Sequence, residues 1–472
     1  MQRLADHFKL GPPLAGAGND GSAETAMSGR AVAGERMGER AGVATRTDFR
    51  HLPAERGEGR PPLRHGRYRG LPIWFHAHEG ELGAPAASAT LATDDGQERF
   101  DPDDAIACLQ YEHYVGWDRS GGATDAKRLK TLYYLLKPFM PRALQLELQR
   151  LNARRRLRQV RFPAWPQDST LTDLLAALLA ASMGDAGIEQ VPFLGFWPHG
   201  KTWAWCLTHD VDTGLGYAAI ESLAQVEEER GLQSCWYVVP ERYRVEVQKL
   251  ESLQQRGHEI GVHGLEHSGR LFSSRQEFER RRDRINAYVR DWGVVGFRSP
   301  ATYRNPYWLP EIDVDHDSSY MDNATLEPQR GGICAAFPFM LSERLVEIPI
   351  TLPMDHTLIN VLRQDVLQAC RAKTAWVRAQ HGLGVALFHP DYNTQRRDRE
   401  RYGVLLEHLA ADRQAWCALP AQVADWWQRR RQSRLVLQDG VPRIEGPAAA
   451  DGCIWWARLA DGTVQFEPPP SQ

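Results

Sequence analysis

Short apolar runs alternate with longer amphipathic stretches through the second half of the chain. Residues 203–207, 234–239, 259–262, 294–297, 346–350 and 385–388 read as strands. Residues 216–230, 246–256 and 275–292 carry apolar positions three and four apart and read as helices. This alternation predicts parallel βα units, closed into a barrel or left as an open sheet. No glycine-rich phosphate fingerprint follows the first strand, which argues against a dinucleotide fold.

The flanks have different patterns. Residues 1–65 are rich in Gly, Ala, Arg, Glu and Ser and poor in large apolar residues, so disorder is expected there. Residues 66–200 predict a mixed, mainly helical accessory region, with a strand at 71–76 and helices at 105–114, 127–136, 142–161 and 171–183. In the fourth of these segments Leu144, Leu148 and Leu151 mark a packed face. Arg150, Arg154, Arg155, Arg156, Arg158 and Arg161 surround it as a solvated face or an anion-binding one. Helices are expected at 402–411 and 422–431, completing a main domain over 201–432. Asp439-Gly440, Asp451-Gly452 and Asp461-Gly462 then punctuate short apolar runs and predict a small β-meander over 433–472. At least one of Trp455 and Trp456 is expected to pack against the core.

Composition narrows the class. The 472 residues carry 57 basic and 60 acidic side chains, a net charge of −3, which gives no support to a nucleic-acid partner. The longest apolar stretch, 174–183, is about half of a membrane span, so no transmembrane segment is expected and only peripheral membrane contact stays open. The N-terminus shows no apolar signal-peptide core, and the seven scattered cysteines form neither a disulfide framework nor a zinc knuckle. Both point to a cytoplasmic protein with its cysteines buried as small hydrophobes.

Chemistry gathers where predicted strands end, and in α/β folds ligands bind at the carboxyl ends of parallel strands. The first strand runs into Thr208-His209-Asp210-Val211-Asp212. Carboxylates two apart on extended backbone face the same side and repel unless a cation or proton lies between them. The third strand runs into His263-Gly264-Leu265-Glu266-His267, whose spacing puts both imidazoles on one face of a helical turn. Two His and a carboxylate suit Zn²⁺, Fe²⁺, Co²⁺ or Mn²⁺. Arg298 follows the fourth strand and can keep a rim carboxylate ionised. His389 follows the last strand and is placed to act as a general acid. Each residue alone also reads as a helix cap, a surface arginine or a satisfied histidine. Four such strand ends in order favour a single site.

These residues, in this order, resemble the polysaccharide deacetylase family (NodB homology, carbohydrate esterase family 4), in its Asp-x-Asp branch. Thr208 to Asp212 looks like the first motif and Gly257 to His267 the second. Gly296-Phe297-Arg298-Ser299-Pro300 looks like the third, Asp317-Ser318-Ser319-Tyr320 the fourth, and Leu387-Phe388-His389-Pro390 the fifth. The resemblance covers about 200–430. It implies a distorted (β/α)₇ barrel with Asp212, His263 and His267 as metal ligands, most readily for Zn²⁺. It implies Asp210 as general base, Arg298 as its orienter, His389 as general acid and Asp317 as the tuner of His389. Pro300, Ala301, Tyr320 and Leu387 would line the substrate site, with an oxyanion-binding N–H near Ala301. The implied reaction is removal of an N-acetyl group from an amino sugar in cell-surface polysaccharide or lipopolysaccharide metabolism, so the implied partner is a carbohydrate. Two further readings are hydrolysis of a small amide or cyclic imide on the same fold, and a non-catalytic glycan-binding or scaffold role.

Overall fold

Trp203–Val211, nine buried residues of which the first five are apolar, forms the strand around which the main domain closes, and we number the barrel strands from it. The structure is a computed structural model that describes residues 2–11, 63–76, 90–93, 96–115 and 140–469. After β1 (Trp203–Val211) come β2 (Cys235–Val238), β3 (Glu259–Val262), β4 (Gly296–Phe297), β5 (His316–Asp317), β6 (Val346–Glu347) and β7 (Leu383–Phe388). Each pairs in parallel with the next from β1 to β6, and β7 pairs in parallel with β1. Strands buried on both faces explain runs such as Cys-Trp-Tyr-Val and Leu-Gly-Val-Ala-Leu-Phe.

Side chains and extended backbone complete the ring where strand ladders are short. Past β6, Ile350 N–H donates to Tyr320 O at 2.8 Å and Leu352 N–H to Val385 O at 3.0 Å. The Thr351 hydroxyl donates to Leu383 O and accepts from Val385 N–H, both at 2.7 Å. The segment after β6 therefore touches the β5 extension on one side and β7 on the other. This is the distorted seven-stranded barrel that the sequence led us to expect. The strand Ala415–Cys417 pairs with Trp203–Trp205 beside the free first half of β1.

The connecting helices are Gly214–Glu228, Val247–Gln255, Arg275–Trp292, Val366–Ala379 and Arg396–Ala410. Thr213, Ser274 and Asp365 cap three of them by accepting a backbone N–H of the first turn. Helix Val366–Ala379, β5 and the Ala415–Cys417 strand are not among the elements expected from the sequence, whereas β4 falls inside the strand expected at 294–297. The two residues of β5 and the three of Ala415–Cys417 carry too little alternation to read.

The flanks depart from expectation in four places. Residues 2–11, inside the stretch expected to be disordered, begin with helix Gln2–Phe8, which buries Leu4 and Phe8. Phe8 stacks on Phe466 at 5.3 Å and meets Phe193 edge-on at 6.0 Å. A composition average over 65 residues hides a seven-residue helix that finds an aromatic surface elsewhere in the chain. The rest of that stretch to residue 62, like the helix expected at 127–136, lies outside the described residues.

Leu63–Tyr68 is the second departure, a strand paired with Leu71–His76 in a four-stranded antiparallel sheet with Thr90–Thr93 and Gly96–Arg99. The accessory region is thus less helical than expected, because Arg-His-Gly-Arg masks the alternation. Third, helix Arg142–Gln159 leaves Leu144, Leu148 and Leu151 exposed at 48%, 38% and 58%, and buries Ala153 instead. Arg150 and Arg156 hold it to the barrel through the carbonyls of Asn360, Leu326 and Glu327. Fourth, the C-terminal residues do not form one meander. Asp439-Gly440 turns a separate hairpin, whereas Ile454–Ala460 pairs with both Thr463–Glu467 and Gln190–Leu194. Trp455 in that sheet is fully buried. Among the described residues, no helix is long and apolar enough to cross a membrane.

If the N-terminal helix is docked as described, Phe8→Ala costs ~3–5 kcal/mol, the usual range for truncating a buried aromatic. The expected readout is a lower melting temperature. An unchanged melt would show that residues 2–11 contribute nothing to the folded state.

Candidate active site

β1 extends to Val211, four residues beyond the expected end, so Asp210 lies within the strand and Asp212 directly after it. His263 directly follows β3. The segment to His267 is an irregular loop and not the expected helical turn. Gly264 has φ +61°, and a Cβ there would lie 2.6 Å from the Pro300 ring, so only glycine fits both the backbone and the space. His267 itself has φ +55°. The loop brings the two imidazole centroids to 5.3 Å.

Nδ1 of His263 donates to Arg298 O at 2.8 Å, which directs the Nε2 lone pair into the barrel mouth. That Nε2 lies 3.4 Å from Asp212 Oδ1 and 3.5 Å from Asp210 Oδ2, while His267 Nε2 lies 3.1 Å from Asp212 Oδ1. One ligand atom from each of Asp212, His263 and His267 falls within 4.8 Å of the others. Among the described residues, Asp212 Oδ1 and His263 Nε2 are buried without a hydrogen-bond partner of good geometry. Two unsatisfied acceptors pointing at one another fit a cation between them. Burial alone would raise the Asp212 carboxyl, but His263, His267 and His389 hold it well below the usual carboxylate range.

Arg298 is fully buried and hydrogen-bonded by each of its three nitrogens. Nε donates to Ser318 O at 2.8 Å and one terminal nitrogen to Ser318 Oγ at 2.7 Å. The other donates to Thr208 Oγ1 and to Asp210 Oδ1, both at 2.9 Å. The Tyr237 ring lies 4.2 Å beneath the guanidinium, and room for that ring exists because position 261 is glycine. Burial raises the Asp210 carboxyl, yet His263 and Arg298 overcompensate and lower it, leaving an ionised carboxylate with Oδ2 turned to the mouth.

Across the mouth, His389 Nε2 lies 3.8 Å from Asp212 Oδ2. Its Nδ1 meets Asp355 Oδ1 at 2.6 Å, and its backbone N–H donates to Asp355 Oδ2 at 2.7 Å. Burial lowers the imidazole pKa, but the Asp355 carboxylate, aided by Asp212 and Asp210, raises it to about 10. Asp355 was missed in the sequence. It follows the predicted strand at 346–350 by five residues, so the strand-end rule, applied there too, was the available signal.

Asp317, expected to tune His389, sits elsewhere. It lies in β5 opposite Glu347, accepts the Ser319 hydroxyl at 2.7 Å, and shares with Glu347 a fully buried carboxyl pair whose pKa values are both raised, mainly by burial. The Ser319 hydroxyl in turn accepts Ser299 N–H at 2.8 Å. The Asp317-Ser318-Ser319 run thus builds the floor that holds Arg298. Tyr320, expected to line the substrate site, is fully buried between the Arg304 guanidinium, 5.2 Å from its ring, and Phe339. Leu387 is buried in β7 opposite Thr208. Pro300 is buried beside the Gly264 loop, and Ala301 follows it with φ +55°, in the turn after β4. Of the expected site residues, Asp210, Asp212, His263, His267, Arg298 and His389 come together, and Asp317 and Tyr320 lie below them.

No family model matches the chain, and no curated protein matches it. Over about half its length it is similar to solved structures. One is a "putative polysaccharide deacetylase" from Mycobacterium smegmatis, with 20% identity and a TM-score of 0.42 over 51% of this chain and 96% of that one. The second is the Puue allantoinase, with 10% identity and a TM-score of 0.41 over 49% and 92%. The third is a CE4 family pseudoenzyme from Bacillus anthracis, with 12% identity and a TM-score of 0.32 over 47% and 65%.

Proposed function

We propose that this protein is a metal-dependent hydrolase that removes an N-acetyl group from an amino sugar. The observation that carries the reading is the flanking of one ligand set by two differently prepared groups. Asp212, His263 and His267 converge, with an Arg298-held carboxylate on one side and an Asp355-held imidazole on the other. The sugar is the substrate class implied by the motif resemblance. A cell-surface polysaccharide or lipopolysaccharide intermediate is the expected source of the N-acetyl group.

Asp212, His263 and His267 would hold the metal, and an N₂O donor set suits Zn²⁺ first, then Co²⁺, Fe²⁺ or Mn²⁺. When bound, the ion supplies Lewis-acid polarisation of the amide carbonyl and a lowered pKa for water. Asp210 takes the proton from the attacking water through Oδ2, because Oδ1 is committed to Arg298. Arg298 keeps that carboxylate ionised and fixed in direction. His389 donates its Nε2 proton to the leaving amine, and Asp355 keeps it charged until then. The turn at Pro300 and Ala301 lies beside Gly264 and shapes the edge of the cleft.

Asp210→Asn is expected to lower kcat ~10²–10⁴-fold, the usual worth of a general base, while the ion bound by Asp212, His263 and His267 is kept. Acetate release and elemental analysis on the same preparation check it, and undiminished turnover would remove Asp210 from the mechanism. The group His389 loses its function as pH rises through its own pKa. With Asp355 present, the alkaline limb of the kcat profile is therefore expected well above neutral. In Asp355→Asn the limb should move down towards the unperturbed imidazole value, ~6.5. A limb that does not move would show that Asp355 does not set the charge of His389. A screen of acetylated amino sugars against small cyclic imides tests the substrate. Turnover of imides alone would transfer the mechanism to that class.

A further inference from the structure

A second set of metal-type donors lies outside the barrel mouth. His76 ends the strand Leu71–His76, and Asp104 and Cys108 lie one turn apart on helix Pro102–Gln110. His113 sits in the turn that follows. One ligand atom from each of His76, Cys108 and His113 falls within 4.8 Å of the others. We propose that His76, Cys108 and His113, with Asp104 beside them, form a structural zinc-type site that ties together a strand, a helix and a turn of the accessory region beside the barrel.

Three observations carry this. The first is spacing. Cys108 Sγ lies 3.7 Å from His76 Nδ1 and 3.7 Å from His113 Nδ1. A tetrahedral ion with ordinary Zn–S and Zn–N bond lengths separates sulfur from nitrogen by ~3.6 Å. Asp104 adds Oδ1 at 3.0 Å from His76 Nδ1 and Oδ2 at 3.9 Å from Sγ, within reach of a fourth position.

The second is convergence. A nucleophilic Cys–His–Asp relay uses both imidazole nitrogens, one towards sulfur and one towards the carboxylate. Here the same nitrogen of His76 faces both groups, and His113 brings a second imidazole to the same sulfur. Donors aimed at one point suit an ion and do not suit a relay.

The third is orientation from outside the set. His113 Nε2 is hydrogen-bonded to Tyr307 Oη at 2.8 Å, which leaves Nδ1 for the cluster, as outer partners of metal-binding histidines commonly do. Tyr307 belongs to the barrel loop after β4. The neighbouring Glu112 accepts Arg304 Nε at 2.7 Å, so the turn carrying His113 is fixed to that loop. An ion here would join a strand, a helix and a turn of the accessory region directly beside the barrel. Thiolate with imidazole favours zinc over the harder ions, in contrast to the all-N/O set at the mouth.

The sulfur makes the test independent of the proposed hydrolase. Full-length protein is stripped with a chelator and titrated with Co²⁺, and the near-ultraviolet thiolate-to-cobalt charge-transfer band is followed. The expected result is a band that saturates at one equivalent of the sites, is lost in Cys108→Ser, and is kept when Asp212 and His267 are both replaced by Ala. Absence of the band in the unmodified chain, or its persistence in Cys108→Ser, overturns the proposal. Should Cys108→Ser fail to fold, His113→Ala decides. Its half-saturating Co²⁺ concentration for the band should rise at least tenfold, and an unchanged titration overturns the site.

Discussion

A guanidinium with no access to water must find all its partners inside the protein, and Arg298 organises the barrel mouth for that reason. A buried charge left uncompensated costs several kcal/mol, ~3–5 when one member of a pair is removed. The cost is met here by Asp210 and Thr208 from β1, Ser318 after β5 and the Tyr237 face from β2. Arg298 therefore couples the strand that bears the carboxylates to the strands across the barrel. Its own carbonyl receives Nδ1–H of His263. One residue thus sets the direction of a carboxylate and the tautomer of an imidazole.

The partners of Arg298 are themselves held. Thr208 Oγ1 accepts from Arg298 and donates to Ala386 O at 2.7 Å, in the strand that runs into His389. Ser318 Oγ accepts from Arg298 and donates to Ile348 O at 2.7 Å, in the segment that leads to Asp355. Each hydroxyl is used as donor and acceptor, so both are paired with the guanidinium and with a barrel carbonyl. The Asp210 side and the His389 side of the mouth share this scaffold. Asp210 and His389 differ because a guanidinium faces one and a carboxylate the other.

The accessory region is bound to the barrel by the same kind of contact. Glu112 and Arg304 form a buried ion pair, Tyr114 Oη donates to Gly332 O at 2.6 Å, and His113 reaches Tyr307. On another face, the N-terminal helix and the C-terminal strands meet through Phe8, Phe193 and Phe466. Segments more than 400 residues apart in the chain share one aromatic cluster.

The sequence by itself determined the order of the strand ends and the chemistry on them. Asp210, Asp212, His263, Arg298 and His389 were legible because a strand's side-chain period and its terminus are local properties. The contact of Asp355 with His389, the buried place of Asp317 and Tyr320, the docked N-terminal helix and the His76–Cys108–His113 cluster were decided only by the tertiary structure. Each depends on contacts between residues tens to hundreds of positions apart, made through loops whose course no local pattern encodes. His267 shows the boundary within one motif. Its spacing from His263 suggested a helical turn, but a left-handed glycine against a distant proline ring sent the backbone another way, and the two imidazoles met by that route.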